Sequence, residues 1–140
     1  MKKTTLAIFC LALAAGLPLA GQQKVSPGPR EYKIEQPVTK QEARKAIIKG
    51  AVKLGWQPKD DGEGQIEAAL KVRGHQVAIS IPYAEDGYKF IYKSSVNMRY
   101  QEKPYKGIHS KYATWLKNLD AAIQGELALS AAIVEALEMP

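Results

Sequence analysis

The stretch QIEAALKVRGHQVAISIPYAEDGYKFIY, residues 65–92, decides the fold. Its first part alternates: Ile66, Ala68, Leu70 and Val72 fall on one side, and Gln65, Glu67, Lys71 and Arg73 on the other. Side chains along a strand point to opposite faces, so this pattern predicts a strand over 65–73 with one buried face. Gly74 marks a tight turn. Residues 76–83 alternate again with Val77, Ile79, Ile81 and Tyr83 inward. Glu85-Asp86-Gly87 is a second turn signal, and residues 88–93 form a third strand with Tyr88, Phe90 and Tyr92 inward. Three strands joined by short turns make an antiparallel meander.

The chain on either side reads as helix. Thr39-Lys40-Gln41-Glu42 is a capping box, because the Thr39 hydroxyl can accept the Glu42 amide while Glu42 reaches back. Ala43, Ile47, Ala51 and Leu54 then form one helical stripe with Ile48 beside it, and Gly55 supplies a left-handed cap. Trp56 follows and is expected to fold back on the core. Beyond the meander, Val96, Met98 and Tyr100 alternate, which reads either as a short fourth strand or as an irregular connection broken by Pro104 and Gly107. Ile108, Tyr112, Trp115, Leu119 and Ile123 recur at helical spacing. Gly125 is expected to end or kink that helix, and residues 126–138, apolar with Glu126, Glu135 and Glu138 between, read as another. The expected fold is α+β: a helix, a three- or four-stranded antiparallel meander, and C-terminal helices packed on one sheet face.

The N-terminus addresses the compartment. Met1-Lys2-Lys3 is a short basic segment, and Leu6 to Leu19 carries no charge. This is the layout of a secretory signal and is shorter than the ~20 apolar residues needed to span a bilayer. Cleavage is expected after Gly21, with Ala20 as second choice. Gln22 stands where a lipoprotein signal has its cysteine, and Cys10 follows the bulky Phe9 inside the apolar run. Lipid anchoring is therefore not expected, and the mature chain has no cysteine for a disulfide or thiolate. Residues 22–38 hold three prolines, read as a flexible leader, and residues 39–140 form a single domain. The full chain carries a net charge of +6, and loss of Lys2 and Lys3 leaves the exported part mildly basic with scattered lysines. No nucleic-acid motif is present.

Gly55-Trp56, Arg73-x-His75, Ile81-x-Tyr83, Tyr92-x-x-Ser95-x-Asn97-Met98-x-Tyr100 and Ile108-His109-x-x-Tyr112-x-x-Trp115 together resemble a group of small exported bacterial proteins, many known only as lipoproteins without an assigned function. The resemblance spans roughly residues 40–123. It implies an exported α+β protein and no particular activity.

Candidate sites are few. Ser95, Asn97 and Tyr100 follow a strand end, where side chains can converge on a ligand, and His109 joins them if the last helix folds back over the third strand. These same groups can equally satisfy backbone atoms in an irregular connection. The other sheet face carries Ala69, Ala78, Ser80 and Ile91, bordered by Lys71, Lys89 and Lys93. That face is either covered by the tail around Leu127, Leu129, Ile133, Val134 and Leu137, docked by a partner or second copy, or solvated beneath lysine stems. His75 and His109 lack a nearby cysteine or a His-x-x-x-His pairing, so no metal is expected. Asp60-Asp61-Gly62-Glu63-Gly64 lacks the alternating ligand spacing of a calcium loop. There is no Gly-x-Ser-x-Gly, and no cofactor motif. Six of the seven tyrosines lie from Tyr83 to Tyr112, and alternation assigns Tyr83, Tyr88 and Tyr92 to packing. The expectation is a periplasmic or secreted non-enzymatic protein that binds a protein, peptide or cell-envelope component, with no stable membrane anchor. The alternative is a small hydrolase or ligand-processing enzyme using His109 with Ser95 or Asn97.

Overall fold

The computed structural model describes residues 24–139; the expected signal, residues 1–21, lies outside them. The first helix, α1 (Lys40–Lys53), begins at the capping box: the Thr39 hydroxyl accepts the Glu42 amide at 3.1 Å, and the Glu42 carboxylate accepts the Thr39 amide at 2.7 Å. It ends in a Schellman motif. Gly55 adopts φ +85°, its amide bonds to Val52 O, and the Trp56 amide bonds to Ala51 O. That turn throws Trp56 back into the core, where it is buried.

Strands follow in order: β3 (Gln57–Asp60), β4 (Gln65–Val72), β5 (His75–Ala84) and β6 (Gly87–Val96), preceded in the chain by β1 (Lys24–Val25) and β2 (Arg30–Lys33). β4 to β6 form the expected three-stranded meander, β3, which alternation did not predict, adds to the edge of β4, and β2 adds to the free edge of β6, giving a five-stranded antiparallel sheet of order β2-β6-β5-β4-β3. The β4–β5 hairpin closes on Arg73-Gly74 with φ of +48° and +81°, both left-handed as a type I′ turn requires. Pro58 sits on the outer strand β3, where a missing amide costs no ladder bond. Gly87 is needed for room: a Cβ there would lie 2.6 Å from Tyr32 O on β2.

Within residues 22–38, expected as a flexible leader, the described part from Lys24 onward contributes two strands. β2 pairs along β6 from Arg30↔Phe90 to Lys33↔Gly87, and β1 pairs with β7 (Ile108–His109). Prolines and low apolar content describe extended chain, and an edge strand is also extended chain. Tyr32, the one large apolar side chain of β2, stacks on Tyr88 and Phe90 and holds the strand down. Val96–Tyr100 is not a fourth strand. Asn97 and Arg99 take left-handed φ of +57° and +53°, so the chain coils around buried Met98.

The C-terminal region forms one helix, not two: α2 (Lys111–Glu138) runs through Gly125 without a break. Glycine weakens a helix interior by only ~1 kcal/mol, and the packing of flanking Ile123 and Leu127 exceeds that. α1 and α2 lie antiparallel on the same sheet face. Gly50 meets Ala122 and Ile123, and Glu42 shares a groove with Ser130 and Val134. The core between helices and sheet contains Ile47, Ile66, Ile79, Ile81, Phe90, Tyr112, Leu116 and Leu119, all fully buried. Among the described residues, no helix is long and apolar enough to cross a membrane.

Candidate functional site

Two separate surfaces emerge. The first is the sheet face opposite the helices. Because α2 shares the other face with α1, the tail does not cover it. Registers Ala69↔Ala78 and Ser80↔Ile91 set the four expected residues side by side. Ser80 is not free: its hydroxyl donates to Glu67 at 2.8 Å, and Glu67 also accepts from Gln65 at 2.9 Å and Lys93 at 3.0 Å. Burial works to raise the Glu67 carboxyl, but these three donors outweigh it and leave it below its ordinary value. A shallow groove of about 270 Å³ runs over Gln57, Ala69, Lys71, Ala78, Ser94 and Val96. A wider one of about 680 Å³, toward the Glu85-Asp86 turn, is lined by Glu31, Lys33, Pro82, Lys89 and Ile91 among others.

A β-bulge shapes this face. Ala78 pairs with Ser94 but Ile79 pairs with Tyr92, so Lys93 is an extra residue in β6. Beyond it the alternation reverses. Ser94 and Val96 join the open face opposite Ala78 and Gln76, while Ser95 turns inward opposite Val77. Val96 is thereby 55% exposed. Sequence alternation alone placed neither Ser94 nor Val96 in the groove.

The second surface lies at the end of the sheet where β5 starts and α2 begins. The four residues expected to converge there split into two groups. Ser95 shares a 2.7 Å hydrogen bond with the Tyr92 hydroxyl, and Tyr100 stacks on Tyr92 with centroids 4.6 Å apart and planes at 9°. The Tyr100 hydroxyl donates to Glu102 at 3.2 Å. Asn97 and His109 instead belong with His75. The Asn97 carbonyl accepts from His75 Nδ1 at 2.7 Å, and the His75 and His109 rings are 6.0 Å apart. The His109 amide bonds to Met98 O at 2.8 Å, and its Nδ1 accepts the Lys111 amide at 3.0 Å. The Ser95 hydroxyl is thus bonded to tyrosine and the His109 Nδ1 to a helix-start amide, with no hydrogen bond between them. Burial first, then Lys111, Arg99 and His75, hold the His109 imidazole below its ordinary value. His75 was the partner that spacing did not supply. Its signal was parity, since it continues the inward series Val77, Ile79, Ile81 by one step.

A structural polar cluster ties α2 to the sheet. Tyr88 donates to Asp120 Oδ1 at 2.5 Å, and Gln124 Nε2 donates to the Tyr88 hydroxyl at 3.0 Å and to Lys33 O at 3.2 Å. No group of three or more His, Cys, Asp or Glu side chains placed to hold a metal occurs among the described residues.

No protein-family description matches this chain, and no curated protein or solved structure is significantly similar to it.

Proposed function

We propose that this is an exported, non-enzymatic protein of the cell envelope that binds a protein, peptide or cell-wall component through the open face of its sheet. One observation carries the reading: both helices lie on one face, and the other keeps small residues Ala69, Ala78 and Ser94 with exposed Ile91 and Val96 between lysines. Flat, partly apolar ground with a charged rim is suited to docking another macromolecule. Export rests on the basic start Met1-Lys2-Lys3, the uncharged Leu6–Leu19 run and the small residues Ala20-Gly21, and the resemblance of residues 40–123 to small exported proteins agrees with it.

The test is affinity capture from periplasmic extract with the mature protein and its Ala78→Arg variant. Ala78 lies in the middle strand of the sheet, so a long cation there obstructs the groove without touching the core. Partners retained by the native protein and lost by the variant support the reading. Identical partners for both remove the sheet face from consideration.

A further inference from the structure

We propose that His75, His109 and Arg99 form a binding site for a phosphoryl oxyanion, at the end of the domain and apart from the open sheet face. The hydrogen bonds fix what each imidazole can offer. A carbonyl oxygen only accepts, so His75 Nδ1 must carry a proton for Asn97 O. A backbone amide only donates, so His109 Nδ1 must be unprotonated toward Lys111. The backbone therefore orients both rings and leaves Nε2 of each as the free nitrogen. Neutral His109 presents Nε2–H, a permanent donor. His75 presents a lone pair when neutral and a second donor when protonated.

The surroundings select the ligand's charge. Three groups that are or become cations lie about His109: Arg99, the residue after Met98, whose carbonyl accepts the His109 amide at 2.8 Å; Lys111, whose amide bonds to the ring at 3.0 Å; and His75, with its ring 6.0 Å away. All three act to lower the His109 imidazole. Lys24 on the paired strand β1 is turned to Gln101. Like charges gathered together repel, and an oxyanion relieves all of them together. A divalent metal meets the opposite condition: it faces cations, and the Nε2 of His109 already bears a proton. The backbone agrees. Beyond Arg73, whose left-handed φ belongs to the hairpin turn, the non-glycine residues with left-handed φ among those described are Asn97 and Arg99, at +57° and +53°. Such conformations cost on the order of 1–3 kcal/mol each and gather where geometry serves a ligand. Several cationic donors, an arginine among them, suit a phosphoryl oxyanion.

Toward a phosphodiester headgroup, whose single charge is constant between about pH 5.5 and about pH 8, proton uptake at the imidazole pair makes affinity rise as pH falls, by up to about tenfold per pH unit; inorganic phosphate gains a proton over the same range, so its pH dependence is flatter. The histidine ring signals of the mature protein are followed by NMR while inorganic phosphate is added, at about pH 5.5 and about pH 8. A parallel arm uses phosphatidylglycerol against phosphatidylcholine vesicles to separate a lipid headgroup from free phosphate. Variants are His109→Asn, whose carbonyl can still accept the Lys111 amide, and Arg99→Asn, which tolerates left-handed φ. The expected result is joint movement of both histidine signals, lost in both variants, with phosphate or with anionic vesicles, and tighter at the lower pH in the vesicle arm. Unmoved histidines in both arms, shifts unchanged in the variants, or a long-range nitrogen spectrum showing protonated Nδ1 in neutral His109 would each overturn the proposal.

Discussion

Replacing each of two helical glycines with alanine should move stability in opposite directions. Alanine raises intrinsic helix stability by ~0.5–1 kcal/mol over glycine wherever the site is open. Gly125, in α2, has nothing within 4 Å of the position a Cβ would occupy, so Gly125→Ala should gain that amount. Gly50, in α1, is the point where the helices touch. A Cβ there lies 2.9 Å from Ile123 N, 2.9 Å from Ile123 Cγ1 and 3.1 Å from Ala122 C. The side-chain atom can rotate away, but the two backbone atoms cannot move without shifting α2 on the sheet. Overpacking of this kind costs roughly 1–3 kcal/mol, which offsets the propensity gain and leaves a net loss of up to about 2.5 kcal/mol. For a domain of this size each kcal/mol shifts Tm by roughly 3–5 °C. Thermal unfolding followed by circular dichroism should therefore show Gly125→Ala above the native protein and Gly50→Ala below it. Equal gains at both positions would refute the close helix contact, because propensity alone would then account for both.

Tyr88→Phe should cost about 1.5–3 kcal/mol, the usual loss when a charge-assisted bond is removed, because Asp120 and Gln124 both lose their tyrosine partner. Tyr105→Phe, at a residue 80% exposed, should leave denaturant midpoints unchanged; a matching loss at both sites contradicts the clip. Stability should also fall on acidification in two stages. His109 has a depressed native pKa, so below its unfolded value of ~6.5 the unfolded chain binds more protons and the native state loses ground. The Asp60 carboxyl, lowered by Arg44 and then by the Gly62 amide, contributes above its unfolded value of ~3.9 and loses that contribution as pH drops further. Comparison of Tm between neutral and mildly acidic buffer isolates the first stage, which His109→Asn should flatten; an unaltered slope in that variant rules the assignment out.

How legible the fold was depended on where its determinants lie along the chain. The capping box at Thr39, the glycine stop at Gly55 and the inward rows of β4 and β5 are written in neighbouring residues, and the structure reproduces them. β2 was missed because its partner is far along the chain. Arg30-Glu31-Tyr32-Lys33 has almost no apolar character of its own, and it becomes a strand only through the exposed edge of β6 and the aromatic stack on Tyr88. Gly125 misled for a related reason: the local preference it expresses is small beside the burial of Ile123 and Leu127, which local sequence does not price. The site was half legible. Asn97 and His109 both lie beside His75, whereas Ser95 and Tyr100 pair with Tyr92, and His75 enters only once the meander is folded.

The single extra residue in β6 links both proposed surfaces. Without the bulge, strict alternation from Tyr92 would turn Ser94 and Val96 toward the helices and leave Ser95 on the open face. Serine at a core position would bury a hydroxyl away from Tyr92, and the groove over Ala69 and Ala78 would lose its third small residue. The insertion at Lys93 reverses that order. Its ammonium reaches Glu67 on the open face, Ser94 completes the small-residue floor, Ser95 reaches the tyrosine hydroxyl, and the chain arrives at Asn97 with its carbonyl directed to His75. Bulges bend a strand and re-aim the residues beyond it. Here the re-aiming works in both directions across one sheet. The Ser94–Val96 end of the open face and the Asn97 carbonyl that orients His75 thus both follow from one irregularity, which a period-two reading of the sequence does not show.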